Sequence, residues 1–137
     1  IFRFASDVAA EQIKQTPGKK EELQQMGEMV TEAQKILSSH TDIADFGRLL
    51  HDSWCLKRGL TSKVTTNTID YIYQKAIEAG AIGGKLLGAG GGGFFLFYCK
   101  KKQQNKLRIA LNKFKEITFN FEKNGSMSIN FNHLNKL

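Results

Sequence analysis

An α+β fold, with helices packed on an antiparallel sheet, is what this sequence predicts, and three observations predict it. Apolar residues recur at spacings of three and four through roughly the first eighty positions, the signature of helices buried along one face. Beyond them the period changes to unbroken or alternating apolar runs, which belong to strands. Between the two regimes lies Gly88-Ala89-Gly90-Gly91-Gly92-Gly93, a run no helix or strand interior tolerates cheaply. With 137 residues and 41% hydrophobic content, the chain can fill one core and is too short for two ordinary domains.

The elements follow in order. Phe4 to about Gln15 is a short Ala-rich helix, ended by Thr16-Pro17-Gly18. From Lys19 to about Ser38, Leu23, Met26, Val30, Ala33 and Leu37 fall on one face and predict an amphipathic helix. Asp42 is the expected cap of a third helix that turns Ile43, Phe46, Leu50 and Trp54 inward and stops at Gly59. Thr66 or Asn67 caps a fourth, with Ile69, Ile72, Tyr73 and Ala76 inward and Gly80 as its left-handed stop. Lys85-Leu86-Leu87 and Phe94 to Cys99 then read as strands flanking the glycine loop, the second buried on both faces. Leu107, Ala110, Leu111 and Phe114 predict a fifth helix. Ile117, Phe119 and Phe121 alternate with polar residues, Asn124-Gly125 supplies a turn, and Met127, Ile129 and Phe131 repeat the alternation as a closing hairpin. At the other end, Ile1-Phe2-Arg3-Phe4 resembles a strand entering a helix, without an initiator methionine, so the chain is expected to be part of something longer.

Composition excludes several classes of function. The longest apolar runs fall short of a bilayer and the N-terminus lacks the order of a signal peptide, so no membrane partner and a cytoplasmic protein are expected. Cys55 and Cys99 each sit in an apolar stretch without C-x-x-C spacing, which predicts buried free thiols. His40, His51 and His133 are too scattered to gather a metal, and no protein-held metal site is expected. The net charge of +7 lies wholly beyond residue 99: residues 1–99 carry eleven basic and eleven acidic side chains, residues 100–137 nine and two. The Phe residues of that tail alternate as core residues do, so it reads as a solvated lysine-rich face and no nucleic-acid partner is expected.

The glycine loop is the chemical signal. Side-chain-free backbone can take positive φ and turn successive N–H groups into one concavity that receives an anion such as phosphate. A P-loop would need glycine at position 79 and Ser or Thr after Lys85, where this sequence has Ala79 and Leu86. Gly88, Gly90 and Gly93 do fit G-x-G-x-x-G, but a dinucleotide fingerprint opens a helix, and here a strand follows. A protein-kinase loop would be followed by His-Arg-Asp and Asp-Phe-Gly, which do not occur.

Lys85-Leu86-Leu87-Gly88-Ala89-Gly90-Gly91-Gly92-Gly93-Phe94, preceded by the Ala79-Gly80-Ala81 turn, resembles the C-terminal motif of the galactokinase, homoserine kinase, mevalonate kinase and phosphomevalonate kinase (GHMP) superfamily. Ala5-Ser6-Asp7 with Glu11-Gln12, Phe46 to His51, and Trp54-x-Leu56-Lys57-Arg58 with Leu60 are similar to the D-glycero-D-manno-heptose 7-phosphate kinases. The resemblance implies a ferredoxin-like C-terminal kinase domain over residues 1–137, and a sugar kinase that moves the ATP γ-phosphate to the anomeric hydroxyl of a heptose 7-phosphate with Mg2+ present. It implies that Lys85, Gly88, Ala89, Gly90, Gly91, Gly92 and Gly93 form the phosphate and substrate loop, and that Lys57 and Arg58 meet the substrate phosphate. The superfamily's Pro-x-x-x-Gly-Leu-x-Ser-Ser-Ala nucleotide loop has no counterpart, since Pro17 is the sole proline and leads into Gly18-Lys19-Lys20. ATP, Mg2+ and the catalytic carboxylate are thus expected on an N-terminal kinase domain, the chain's principal partner besides ATP and the sugar phosphate. No catalytic residue is assigned within the chain, which alone is expected to be inactive. The competing expectation is a non-catalytic module that binds a phosphorylated metabolite.

Overall fold

The computed structural model describes residues 5–39 and 42–122. Helix α1 (Ala5–Gln15) gives way to a 3-10 turn at Thr16–Gly18, where Pro17 can start a turn but cannot donate to the helix behind it. Its one buried residue, Val8, is wholly enclosed. Helix α2 (Lys20–Ser38) packs on the next helix with only part of its predicted face. Met26 and Ala33 are half-buried, joined by Met29 and Ile36, whereas Leu23, Val30 and Leu37 are exposed. One apolar stripe around a helix is wider than a single neighbour can cover, and only the half facing that neighbour is taken up.

Helix α3 (Ala44–Leu60) is the centre of the domain, touching α2 on one side and the sheet on the other. Asp42 accepts from the Ala44 N–H at 3.0 Å, as a cap should, and that bond, ahead of Lys100 and Arg48, holds its carboxyl below the usual range. Arg48 pairs with Asp45, three residues back. The buried residues are Ala44, Gly47, Leu49, Trp54 and Leu60, while Phe46 and Leu50 are half-buried and Ile43 is exposed. Gly59 lies inside the last turn instead of stopping it; the chain leaves the helix at Thr61, which is extended.

Helix α4 (Asn67–Glu78) starts on Thr66, whose hydroxyl oxygen accepts from the Ile69 N–H at 3.2 Å, and ends at Gly80 with φ +105°. Strands β1 (Ala81–Leu87) and β2 (Phe94–Cys99) pair antiparallel from Leu87 opposite Phe94 to Ala81 opposite Cys99, with an irregularity between Ala81 and Gly83. The first strand therefore begins well before Lys85. Gly83 and Gly84 serve close approach: a Cβ on Gly83 would stand 2.0 Å from the Gly47 carbonyl oxygen. Helix α3 lies that near because neither surface carries a side chain at the crossing.

The core joins Val8, Trp54, Val64, Ile69, Tyr73 and Leu86, with Phe95 and Phe97 half-buried against them. Neighbouring rings of Trp54, Tyr73, Phe95 and Phe97 lie 5.1 to 6.0 Å apart. Strand β2 is accordingly not buried on both faces: Phe94 is exposed, and the rest is half-buried.

The C-terminal expectations fare less well. Helix α5 spans Gln104–Ala110 after a 3-10 turn at Lys101–Gln103, and Leu111 to Phe114 form turns. Among the described residues, 115–122 join no ladder, and Ile117, Phe119 and Phe121 are exposed. Alternation favours a strand only where a partner supplies the hydrogen bonds. The turn at Asn124-Gly125 and the partner at Met127–Phe131 lie outside the described residues, as do Ile1–Phe4, His40 and His133. Among the described residues, no helix is long and apolar enough to cross a membrane, and no three His, Cys, Asp or Glu side chains gather as a metal site.

Of the two thiols expected to be buried, Cys55 is exposed and Cys99 half-buried. Cys55 sits on the outer side of α3, one position beyond the buried Trp54, so the helix turns it away from the core.

Candidate functional site

The six residues Gly88–Gly93 connect β1 to β2, and their backbone explains their composition. Gly88, Gly90, Gly91 and Gly93 have φ of +93°, +122°, +71° and +124°, while Ala89 and Gly92 do not lie in that region. Changes of hand of this kind are what allow a backbone to turn amides toward a common side and build an anion-binding concavity. Gly90 and Gly91 are buried, Ala89 and Gly92 half-buried, and Gly88 and Gly93 exposed.

Three other segments grip the loop. The Gly91 N–H donates to the Val64 carbonyl at 2.8 Å, fixing the loop to the turn between α3 and α4. Gln12 of α1 donates through Nε2 to the Ala89 carbonyl at 3.3 Å. Lys57 of α3 donates through Nζ to the carbonyls of Leu86, at 3.3 Å, and Gly88. Burial, with Lys85 nearby as a second cause, lowers the Lys57 pKa.

The Lys57-Arg58 dipeptide is thus divided by the geometry. Arg58 points to α4, where its guanidinium pairs with Asp70 at 3.0 Å, and Asp70 also accepts from the Thr65 hydroxyl at 2.7 Å. Lys85 reaches the Ser53 hydroxyl at 3.3 Å, on the α3 side of β1. Val64 escaped the sequence reading, and Gln12 entered it only through the Glu11-Gln12 resemblance, with no role at the loop. A valine in a coil carries no periodic or motif signal, and the resemblance at Gln12 names no contact; only the fold makes the two neighbours of the loop.

Beneath the loop strand, Tyr73 Oη lies 2.7 Å from His51 Nδ1, and His51 Nε2 lies 3.6 Å from Cys55 Sγ. Burial, then Cys55, pushes Tyr73 up to about 12 from an ordinary 10.0. A phenol whose pKa is raised by folding stabilises the fold fully below pH 10 and loses that contribution as pH climbs through about 12. Urea midpoints should therefore fall between pH 10 and 12 for the native sequence, and Tyr73→Phe should flatten that limb.

Residues 20–116 match the family model described as GHMP kinases C terminal. The fold is similar to that of L. major mevalonate kinase, solved in complex with R-mevalonate, with a TM-score of 0.69 and 21% identity over 82% of this chain. The chain spans 35% of the length of that kinase, and at this identity the likeness speaks for the fold. No curated protein matches the chain.

Proposed function

Since the chain belongs to the family of GHMP kinase C-terminal domains, we propose that it is the substrate-side portion of an ATP-dependent sugar-phosphate kinase. The observation that carries this reading is the glycine loop: four positive-φ glycines between two strands, gripped by α1, α3 and the Val64 turn. A loop held in that shape offers fixed amide dipoles to a phosphate before the substrate arrives. Preorganised donors of this kind need little rearrangement as charge develops on a transferring phosphoryl group.

The acceptor is proposed to be the anomeric hydroxyl of D-glycero-D-manno-heptose 7-phosphate. Phosphoryl transfer from ATP to that oxygen releases ADP and the hydroxyl proton and leaves a sugar 1,7-bisphosphate. The described residues fit a phosphate better than a magnesium ion, since the loop brings backbone amides and, among the described residues, no carboxylate cluster. ATP, Mg2+ and the proton-accepting carboxylate are accordingly assigned to an N-terminal kinase domain against which this chain packs. Arg58 is the proposed contact for the 7-phosphate: its Asp70 pair engages one arm, and a guanidinium carries five donors.

The test is a turnover assay on the full-length protein with ATP and a panel of sugar phosphates, the bisphosphate identified by the position of its new ester. Arg58→Ala should raise KM for the heptose 7-phosphate about tenfold, the cost of one charge-assisted contact, and leave KM for ATP near its starting value. Binding of the sugar phosphate without ATP-dependent turnover would mean a non-catalytic module.

A further inference from the structure

We propose that Lys57 and Gln12 are positioning residues that hold the glycine loop's carbonyls toward the helices and thereby aim its amide hydrogens at the bound phosphate. The inference rests on the phosphate-binding reading above and assigns a new role to two side chains on different helices.

A carbonyl oxygen and a phosphate repel, so a loop that binds phosphate must keep its carbonyls turned away. In a trans peptide the C=O of one residue and the N–H of the next point in opposite directions. No peptide bond among the described residues is cis. Lys57 fixes the Gly88 carbonyl toward α3, which turns the Ala89 N–H away from α3; Gln12 fixes the Ala89 carbonyl toward α1, which turns the Gly90 N–H away from α1. Among the described residues no backbone carbonyl accepts from either amide. Both stand next to positive-φ glycines, where such amides converge.

Lys57 suits this work because it is charged and short of alternatives. Its ammonium faces no carboxylate among the ion pairs of the described residues: Arg58 takes Asp70, and the charged group facing Lys57 from β1 is another cation, Lys85. Carbonyl oxygens are what the fold offers it. Its lowered pKa makes the grip sensitive to alkali, since a neutral amine is the weaker donor.

The experiment uses the full-length protein with Lys57→Met, Lys57→Arg and Gln12→Leu, and reads two quantities. Amide hydrogen exchange of the peptide covering residues 86–93 reports the loop without reference to catalysis. Lys57→Met should speed it at least tenfold, with the melting temperature within a few degrees of the native protein, and Lys57→Arg should restore most of the protection. In the kinase assay Lys57→Met should lower kcat by about a hundredfold. The native enzyme should lose activity as pH rises through the lowered Lys57 pKa, and Lys57→Arg should lack that limb. Native-like exchange in both Lys57→Met and Gln12→Leu would overturn the proposal, whatever the activity. Faster loop exchange in a protein with no turnover on any sugar phosphate would retain the grip and reject the kinase reading. Should Lys57→Met fail to fold, Gln12→Leu carries the same exchange test.

Discussion

Gly83→Ala in the full-length protein is expected to abolish the native packing of this domain, although it adds a single methyl group. The new Cβ would lie 2.0 Å from the Gly47 carbonyl oxygen, closer than real Cβ atoms come, and 3.0 Å from its carbon, itself a tight contact. Overpacking by a methyl ordinarily costs about 1–3 kcal/mol because a neighbouring side chain can change rotamer. Here the obstacle is helix backbone. Helix α3 must move off β1, and α3 also carries Trp54, which is wholly enclosed. A loss of at least ~3 kcal/mol is therefore expected, at or beyond the upper end of that range. Chemical denaturation of the soluble fraction would measure it, and near-complete insolubility is the extreme form of the same result. Gly27→Ala provides the opposite sign. Gly27 lies within α2 with nothing inside 4 Å of its missing Cβ, so alanine there should stabilise by roughly 0.5–1 kcal/mol. A Gly83→Ala protein with native stability would mean that α3 does not cross β1 as described.

What made the helices legible was that their boundaries are local chemistry. Thr66, Gly80 and Pro17 act through their own hydroxyl, φ or ring, and each marks its helix end as expected. Gly83 and Gly47 show the limit. Their significance is a contact between residues 36 positions apart, and no local pattern distinguishes a glycine that admits a helix from one that breaks a strand. The C-terminal alternation is a different case, since Phe119 and Phe121 pattern as strand residues while the partner they were expected to pair with, Met127 to Phe131, lies outside the described residues. The candidate site divides likewise. The loop itself was readable, because only a special backbone requires five glycines in six positions. That Lys57 would turn to Leu86 and Gly88 while its neighbour Arg58 pairs with Asp70 depends on the rotation of α3 against β1, and adjacent residues on a helix face about 100° apart.

Gly90→Val should eliminate turnover in the full-length enzyme, and it is the sharper test of the loop. Two costs combine at this position. The φ of +122° is one that a β-branched residue rarely adopts, a strain of about 1–3 kcal/mol if it must be held. The Cβ would also lie 2.8 Å from Val64 Cα and 2.9 Å from Val64 O, backbone atoms of a residue that is itself fully buried. The loop must give way, and the Gly91 N–H to Val64 bond is the first contact to go. A displacement near 1 Å in a preorganised site is worth roughly a hundredfold in rate, so kcat/KM should fall by at least that factor. Gly91→Val, at φ +71° and on the same bond, should behave alike. Gly88→Ala is the graded control: its φ is +93°, but nothing lies within 4 Å of the added carbon, so only backbone strain is introduced and the loss should be much smaller. Equal losses at 88 and 90 would assign the whole effect to strain and none to the Val64 contact. Unchanged kcat and KM in both would reduce the loop to a hairpin tip and remove the main support for phosphate binding.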